Sequence, residues 1–222
     1  TVIDDNATGR SVIVTAAHCV YDEVEQVFAR EVLFIPNQVE TTGSGTDFDC
    51  SNDPVGCWAP SFGVVENEWT AAVFPDNIPY DYAYYVVSDS GAHVGAGGEV
   101  LDAVAPAMDI IFNAVDLGGY THALGYSYSK DPDFRYCAQG LTIEGSYNDY
   151  WLADCRLSGG SSGGPWTQST DADLGTGPIM SVNSWGYSNS PGMGGPPLGD
   201  AAACLLDAAR TTNLSSAGVI DC

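Results

Sequence analysis

Basic residues are scarce in this chain: Lys and Arg together number 6, against 29 Asp and Glu, for a formal net charge of -23. A field of that sign repels phosphate backbones and anionic headgroups, which argues against nucleic acid and membrane surfaces as partners. It favours solubility, and it suits either an acidic surface in salty or cold surroundings or the attraction of cationic substrates. The acidic residues are spread along the chain and form no tail. Long apolar runs are missing too, none approaching the roughly 20 residues that span a bilayer. No Cys-x-x-Cys pair occurs among the Cys 7 of the chain, which turns the reading toward disulfides and an oxidising compartment. Thr1 opens directly into polar sequence with no secretory leader. A processed form of an exported, secreted precursor is therefore expected.

What is present is a globular composition. The 222 residues are 45% hydrophobic, with Gly 26 and Pro 12, enough for one large domain or two small packed ones. Apolar runs bounded by turn residues recur at Ser11–Ala17, Val27–Ile35, Ser61–Phe74, Ala83–Ser88, Gly119–Ser127, Ala138–Gly145, Trp151–Asp154 and Pro178–Trp185. Each reads as a strand, so the chain is expected to be all-β. Residues 39–60 are rich in Gly, Ser, Thr, Asn and Asp and carry Cys50 and Cys57, as a loop closed on itself would. Residues 92–116 hold a linker between halves 1–105 and 106–222. Gly199–Arg210 is the one helix, with a broad apolar stripe and Asp200 in its first turn, where the dipole favours an anion.

Three short motifs carry chemistry. Thr15-Ala16-Ala17-His18-Cys19 follows an apolar strand, Asp81-Tyr82-Ala83 precedes one, and Gly159-Gly160-Ser161-Ser162-Gly163-Gly164-Pro165 forms a glycine-rich turn. Each alone is weak, since a His after a strand is more often structural and Gly-Ser runs are commonly linkers. Together they supply a base, an orienting acid and a nucleophile. A serine hydroxyl needs a base within hydrogen-bond reach, and the glycines let backbone N–H groups converge where a Cβ would intrude. His93 and His122 are rival bases without an adjacent motif; Asp76 rivals Asp81, and Ser161 rivals Ser162.

These motifs resemble those of the chymotrypsin-like (trypsin-like) serine peptidases, and TAAHC, GGSSGGPW and the NSWGY-to-helix tail are most similar to secreted bacterial members. The resemblance covers most of the chain from Ser11 onward and is weakest over residues 39–60. It implies two packed six-stranded Greek-key barrels with a C-terminal helix, and a triad of His18, Asp81 and Ser162. It further implies Gly160 and Ser162 N–H as oxyanion-hole donors, and Ser184-Trp185-Gly186 as the strand that pairs with a peptide substrate. The implied activity is endopeptidase chemistry without a cofactor. The alternatives are an esterase on the same fold and an inactive homologue used for binding or adhesion.

The departures from the family matter as well. Ser161 stands where many animal members have the Asp that pairs with a freed N-terminal amine, so other contacts must hold the active-site loop. Only 17 residues precede His18, and no cysteine precedes Cys19, which implies an upstream segment and leaves Cys19 unpaired. The remaining bridges are expected by proximity as Cys50–Cys57, Cys137–Cys155 and Cys204–Cys222. By family register the pocket floor falls near Arg156, which would favour an acidic substrate side chain; the competing reading is a surface arginine. Asp131 with Asp133, and Asp47 with Asp49, could hold structural calcium but lack EF-hand spacing and read rather as solvated carboxylates. Asn6-Ala7-Thr8 and Asn213-Leu214-Ser215 match glycosylation sequons.

Overall fold

The structure, a computed structural model, describes residues 1–3, 9–42, 49–89, 93–94 (backbone only), 100–113, 115–131, 133–213 and 218–222. The first sequon, Asp47, the His93 side chain and the last two residues of the second sequon lie outside the described residues.

Runs such as SVIVT and AYYVV carry apolar side chains at consecutive positions, so a strand made from them must bury both faces. They form Arg10–Thr15 and Ala83–Ser88, paired antiparallel from Arg10↔Ser88 to Thr15↔Ala83. The faces divide by strict alternation. Tyr84 and Val86 enter one core with Val12, Val14 and Val64, while Tyr85 and Val87 enter another with Ile13 and Val65. Val2–Ile3 and Phe62–Glu66 flank this pair, and Gly218–Ile220 adds parallel to Phe62–Glu66, completing a five-stranded sheet.

The second half is built on a four-stranded sheet, in spatial order Phe134–Gly140, Tyr120–Tyr126, Pro165–Gln168 and Ile179–Val182. A three-stranded sheet of Thr142–Ile143, Tyr150–Leu152 and Met193–Gly195 faces the same core of Leu152, Trp166, Met180 and Met193. The helix Asp200–Thr211 buries Ala202, Leu205, Leu206 and Ala209, one stripe at helical spacing. That stripe joins Val12 and Tyr84 from the first half and Ile179 and Val182 from the second in a single core. Arg10 Nη1 donates to the Ala209 and Thr212 carbonyls at 3.0 and 2.8 Å, capping the helix end.

Disulfides join Cys50–Cys57, Cys137–Cys155 and Cys204–Cys222, and Cys19 is free. No helix among the described residues is long and apolar enough to cross a membrane.

Two strand expectations are corrected. Within Val27–Ile35 only Val27–Phe28 is strand, with Phe34 making a lone bridge to Trp58, because Glu31 takes a φ of 56° that breaks extended backbone. Ser61–Phe74 is strand only over Phe62–Glu66 and then becomes the helix Asn67–Ala71, which buries Trp69. The linker region holds a short helix, Leu101–Val104.

Candidate active site

Strand register brings the first two motifs together. Because Thr15 pairs with Ala83, the residues just past the first strand meet those just before the second. The backbone beyond Thr15 tightens into a 3-10 turn, Ala17–Cys19, and that beyond Asn77 into another, Ile78–Tyr80. Asp81 is buried at their junction. Its Oδ1 accepts the His18 backbone N–H at 2.9 Å, and its Oδ2 lies 2.8 Å from His18 Nδ1. The Ser184 hydroxyl also donates to Asp81 Oδ2. Burial works against the charged form of His18, but the hydrogen bond and charge of Asp81, helped by the Cys19 side chain, win and raise its pKa above 6.5.

A second register places the nucleophile motif. Pro165 pairs with Val182, which sets residues 162–164 beside residues 183–184. Gly163 N–H donates to Asn183 O, and Asn183 N–H to Gly164 O, both at 2.8 Å. Gly163, at φ 76°, presses onto the His18 side: a Cβ there would stand 2.2 Å from Thr15 Oγ1 and 2.8 Å from Ala16 N. Ser162 is half-buried, and among the described residues it makes no hydrogen bond to His18. The backbone N–H groups of Gly160 and Ser162 have no partner among the described residues.

Rival residues sit elsewhere. Ser161 is buried, with its hydroxyl spent on Ser158 O at 2.8 Å. His122 faces Thr170 Oγ1 at 3.0 Å on the strand Tyr120–Tyr126, and Asp76 is exposed.

Solved structures share this architecture. A thermostable serine protease, AL20, from an extremophilic microorganism matches with a TM-score of 0.74 and 28% identity, over 96% of this chain and 89% of its own. The protease Anisep from Arthrobacter nicotinovorans matches with a TM-score of 0.73 and 25% identity, over 95% and 87%. A Glu endopeptidase matches with a TM-score of 0.66 and 16% identity, over 95% and 89%. The chain has the chymotrypsin-like serine protease fold. It is all-β, two packed barrels with a C-terminal helix. No family model and no curated protein matches the sequence.

In this chymotrypsin-like frame Ser162 lies between two hollows. One, of about 440 Å³, is lined by Arg156, Ser158, Ser184, Trp185 and Gly192. The other, of about 650 Å³, runs past Gly160 between Phe34, Tyr126 and Tyr128. Arg156 reaches the first hollow with a side chain 80% exposed and 3.4 Å from Asp154. Ser184 N–H and Trp185 N–H both turn to Gly194 O, and Gly194 N–H to Trp185 O. The Ser184 carbonyl and both backbone groups of Gly186 are left unpartnered among the described residues, an open edge for an extended chain.

Cys50, Asp53 and Cys57 come together, but both sulfurs are spent in a disulfide and offer no thiolate. Asp133 is paired with Arg135 at 2.5 Å.

Two polar residues escaped the sequence reading. Asn183 and Asp149 are both fully buried, the first inside the apolar run PIMSVNSW and the second just ahead of a strand. For Asn183, a polar side chain within an otherwise apolar segment was the available signal.

Proposed function

We propose that this chain is a secreted serine endopeptidase that cleaves protein substrates through an acyl-enzyme intermediate. His18 takes the Ser162 proton as the hydroxyl oxygen attacks the peptide carbonyl, and returns it to the leaving amine. Asp81 holds the ring in the tautomer with Nε2 free and stabilises the imidazolium. The Gly160 and Ser162 N–H groups receive the oxyanion. Ser184 and Gly186 pair with substrate residues before the cut bond. No step calls for a metal or cofactor. The two barrels, residues 1–105 and 106–222, each supply part of this set.

The observation that carries the proposal is the bond of Asp81 to both His18 and Ser184, with two free N–H donors beside Ser162. The missing Ser162–His18 hydrogen bond favours the rival, an inactive homologue that binds without cleaving. Catalytic hydrogen bonds are often long in unliganded enzymes and tighten around substrate, so we prefer the peptidase. Its test is fluorophosphonate labelling followed by peptide mapping. Modification of Ser162 alone, abolished in Ser162→Ala, is the expected result. An unlabelled native chain would favour the binding reading. Arg156, as a mostly exposed cation at the rim of the first hollow, is read as an aid to acidic side chains. Chromogenic peptides differing only in the residue before the cut decide that point.

A further inference from the structure

Among the described residues no charged side chain bonds to the turn that carries Ser162. Ser161 is neutral and spends its hydroxyl on a carbonyl three residues back. The order of residues 160–164 must come from another group, and the buried side-chain amide of Asn183 hydrogen-bonds a carbonyl of that turn. Its Nδ2 donates to Leu124 O at 2.8 Å and to Ser161 O at 2.9 Å, an oxygen that also accepts the Gly164 N–H from within the turn at 3.0 Å. Its Oδ1 accepts from Trp166 Nε1 at 2.7 Å, which fixes which way round the amide lies. Its backbone N–H and C=O bond to Gly164 and Gly163. The side chain is fully buried, and both amide hydrogens and the amide oxygen are satisfied.

The surrounding glycines leave space for this amide. A Cβ on Gly164 would stand 2.6 Å from Asn183 Nδ2 and 2.0 Å from Leu124 O; one on Gly125 would stand 3.2 Å from Asn183 Nδ2. The approaches at Gly164 leave no room for a side chain, while at Gly125 a Cβ would be tight and its neighbours would have to give by a few tenths of an ångström.

Peptide planarity gives the contact its consequence. The Ser161 carbonyl and the Ser162 N–H belong to one rigid trans unit and point in opposite directions. Whatever holds the Ser161 oxygen therefore aims the Ser162 N–H, one of the two oxyanion donors. We propose that Asn183 is a positioning residue that orients the oxyanion hole by anchoring the Ser161–Ser162 peptide, a neutral substitute for an ion pair at this turn. This rests on the serine peptidase reading above. The lock carries no ionisable group, so it does not open with pH.

The test compares the whole native chain with Asn183→Ala and with Trp166→Phe, which keeps Asn183 but removes the group that sets its orientation. Near-UV circular dichroism reports folding, and rates are read well below each thermal midpoint. The readouts are the fluorophosphonate labelling rate at Ser162, and kcat and KM on a peptide. Asn183→Ala is expected to slow labelling and kcat by about 100-fold, the scale of one lost oxyanion donor, with KM changed by less than about threefold. Trp166→Phe should slow both by about tenfold. A lowered thermal midpoint with native rates in folded Asn183→Ala would mean that Asn183 only packs, and would overturn the inference. If Asn183→Ala does not fold, native rates in Trp166→Phe overturn it equally. A native chain that does not label at all sinks the peptidase reading instead, and this inference with it.

Discussion

Asp81 grips His18 at two points, through the backbone N–H at 2.9 Å and through Nδ1 at 2.8 Å. The two contacts fix both the position of the turn and the rotation of the ring. They also require a proton on Nδ1, which leaves Nε2 free to accept one. An amide at position 81 cannot do the same. Placed to accept from the backbone, it turns its NH2 group toward Nδ1 and forces the proton onto Nε2, the nitrogen that must accept. Asp81→Asn is therefore expected to lower kcat on the order of 10⁴-fold with the fold intact. Steady-state kinetics on a peptide, with circular dichroism as control, checks it; a loss below tenfold would remove Asp81 from the triad.

The same contact sets a pH dependence. The folded pKa of His18 lies above 6.5, so the neutral ring that catalysis needs appears only on the alkaline side. The ascending limb of kcat/KM should therefore lie above pH 6.5. Stability runs the other way. A His whose folded pKa is raised contributes stability that is fully present below the unfolded value, near 6.5, and is lost as pH climbs through the folded pKa. The difference in thermal midpoint between the native chain and His18→Gln should thus be largest near pH 6 and shrink in alkali. Since about a third of the ring is exposed (34%), the effect is small. A limb centred below 6.5 would contradict the contact.

The meeting of His18 with Asp81 was legible in the sequence because both residues flank strands that announce themselves. One apolar run ends at Ala17 and another begins at Ala83, and the distinctive residues stand just outside them. The hollow beside Arg156 was less legible. Arg156 was placed by counting back from Ser162, and whether a side chain reaches a pocket or the solvent depends on backbone direction, which counting does not supply. Asn183 was missed for the opposite reason: the apolar run that concealed it reads as core strand, and its role depends on partners 17, 22 and 59 residues away. The helix Asn67–Ala71 was hidden because apolar Phe62–Val65 and Trp69 merge into one run at the level of composition.

Gly163 offers a test of how the halves meet. Its positive φ and the 2.2 Å approach a Cβ would make to Thr15 Oγ1 mean that Gly163→Ala must push the nucleophile turn away from the His18 turn. A displacement of about 1 Å at a reacting group costs about 100-fold, so loss of peptide cleavage on that scale or beyond is expected. Gly118→Ala is the control. It has φ 87° but nothing within 4 Å, so it should cost about 1 kcal/mol of strain and leave kcat unchanged. Equal activity in both variants would mean that the turns do not bear on each other.

Asp149 gives a prediction about stability. Its Oδ2 accepts from Trp185 Nε1 at 2.8 Å, its Oδ1 is buried without a partner, and burial raises its pKa from 3.8 to about 6. The Trp185 bond pulls the other way, and the charges of Asp81 and Glu144 add to the rise. For a carboxyl raised in the folded state, stability is greatest below the unfolded pKa and falls as pH rises toward 6. Above that point the charged form costs roughly 3 kcal/mol relative to the neutral one. Asp149→Asn keeps an acceptor for Trp185 and removes the charge, but buries an amide N–H without a partner at about 1–2 kcal/mol. Burying the charge costs more than orphaning the amide hydrogen. The variant should therefore gain about 1 kcal/mol at pH 8, or about 2–4 °C in thermal midpoint, and lose that advantage below pH 4. Melting curves across pH 4–8 decide it, and a variant less stable than the native chain at pH 8 would mean that the ionised carboxylate is held by more than the indole.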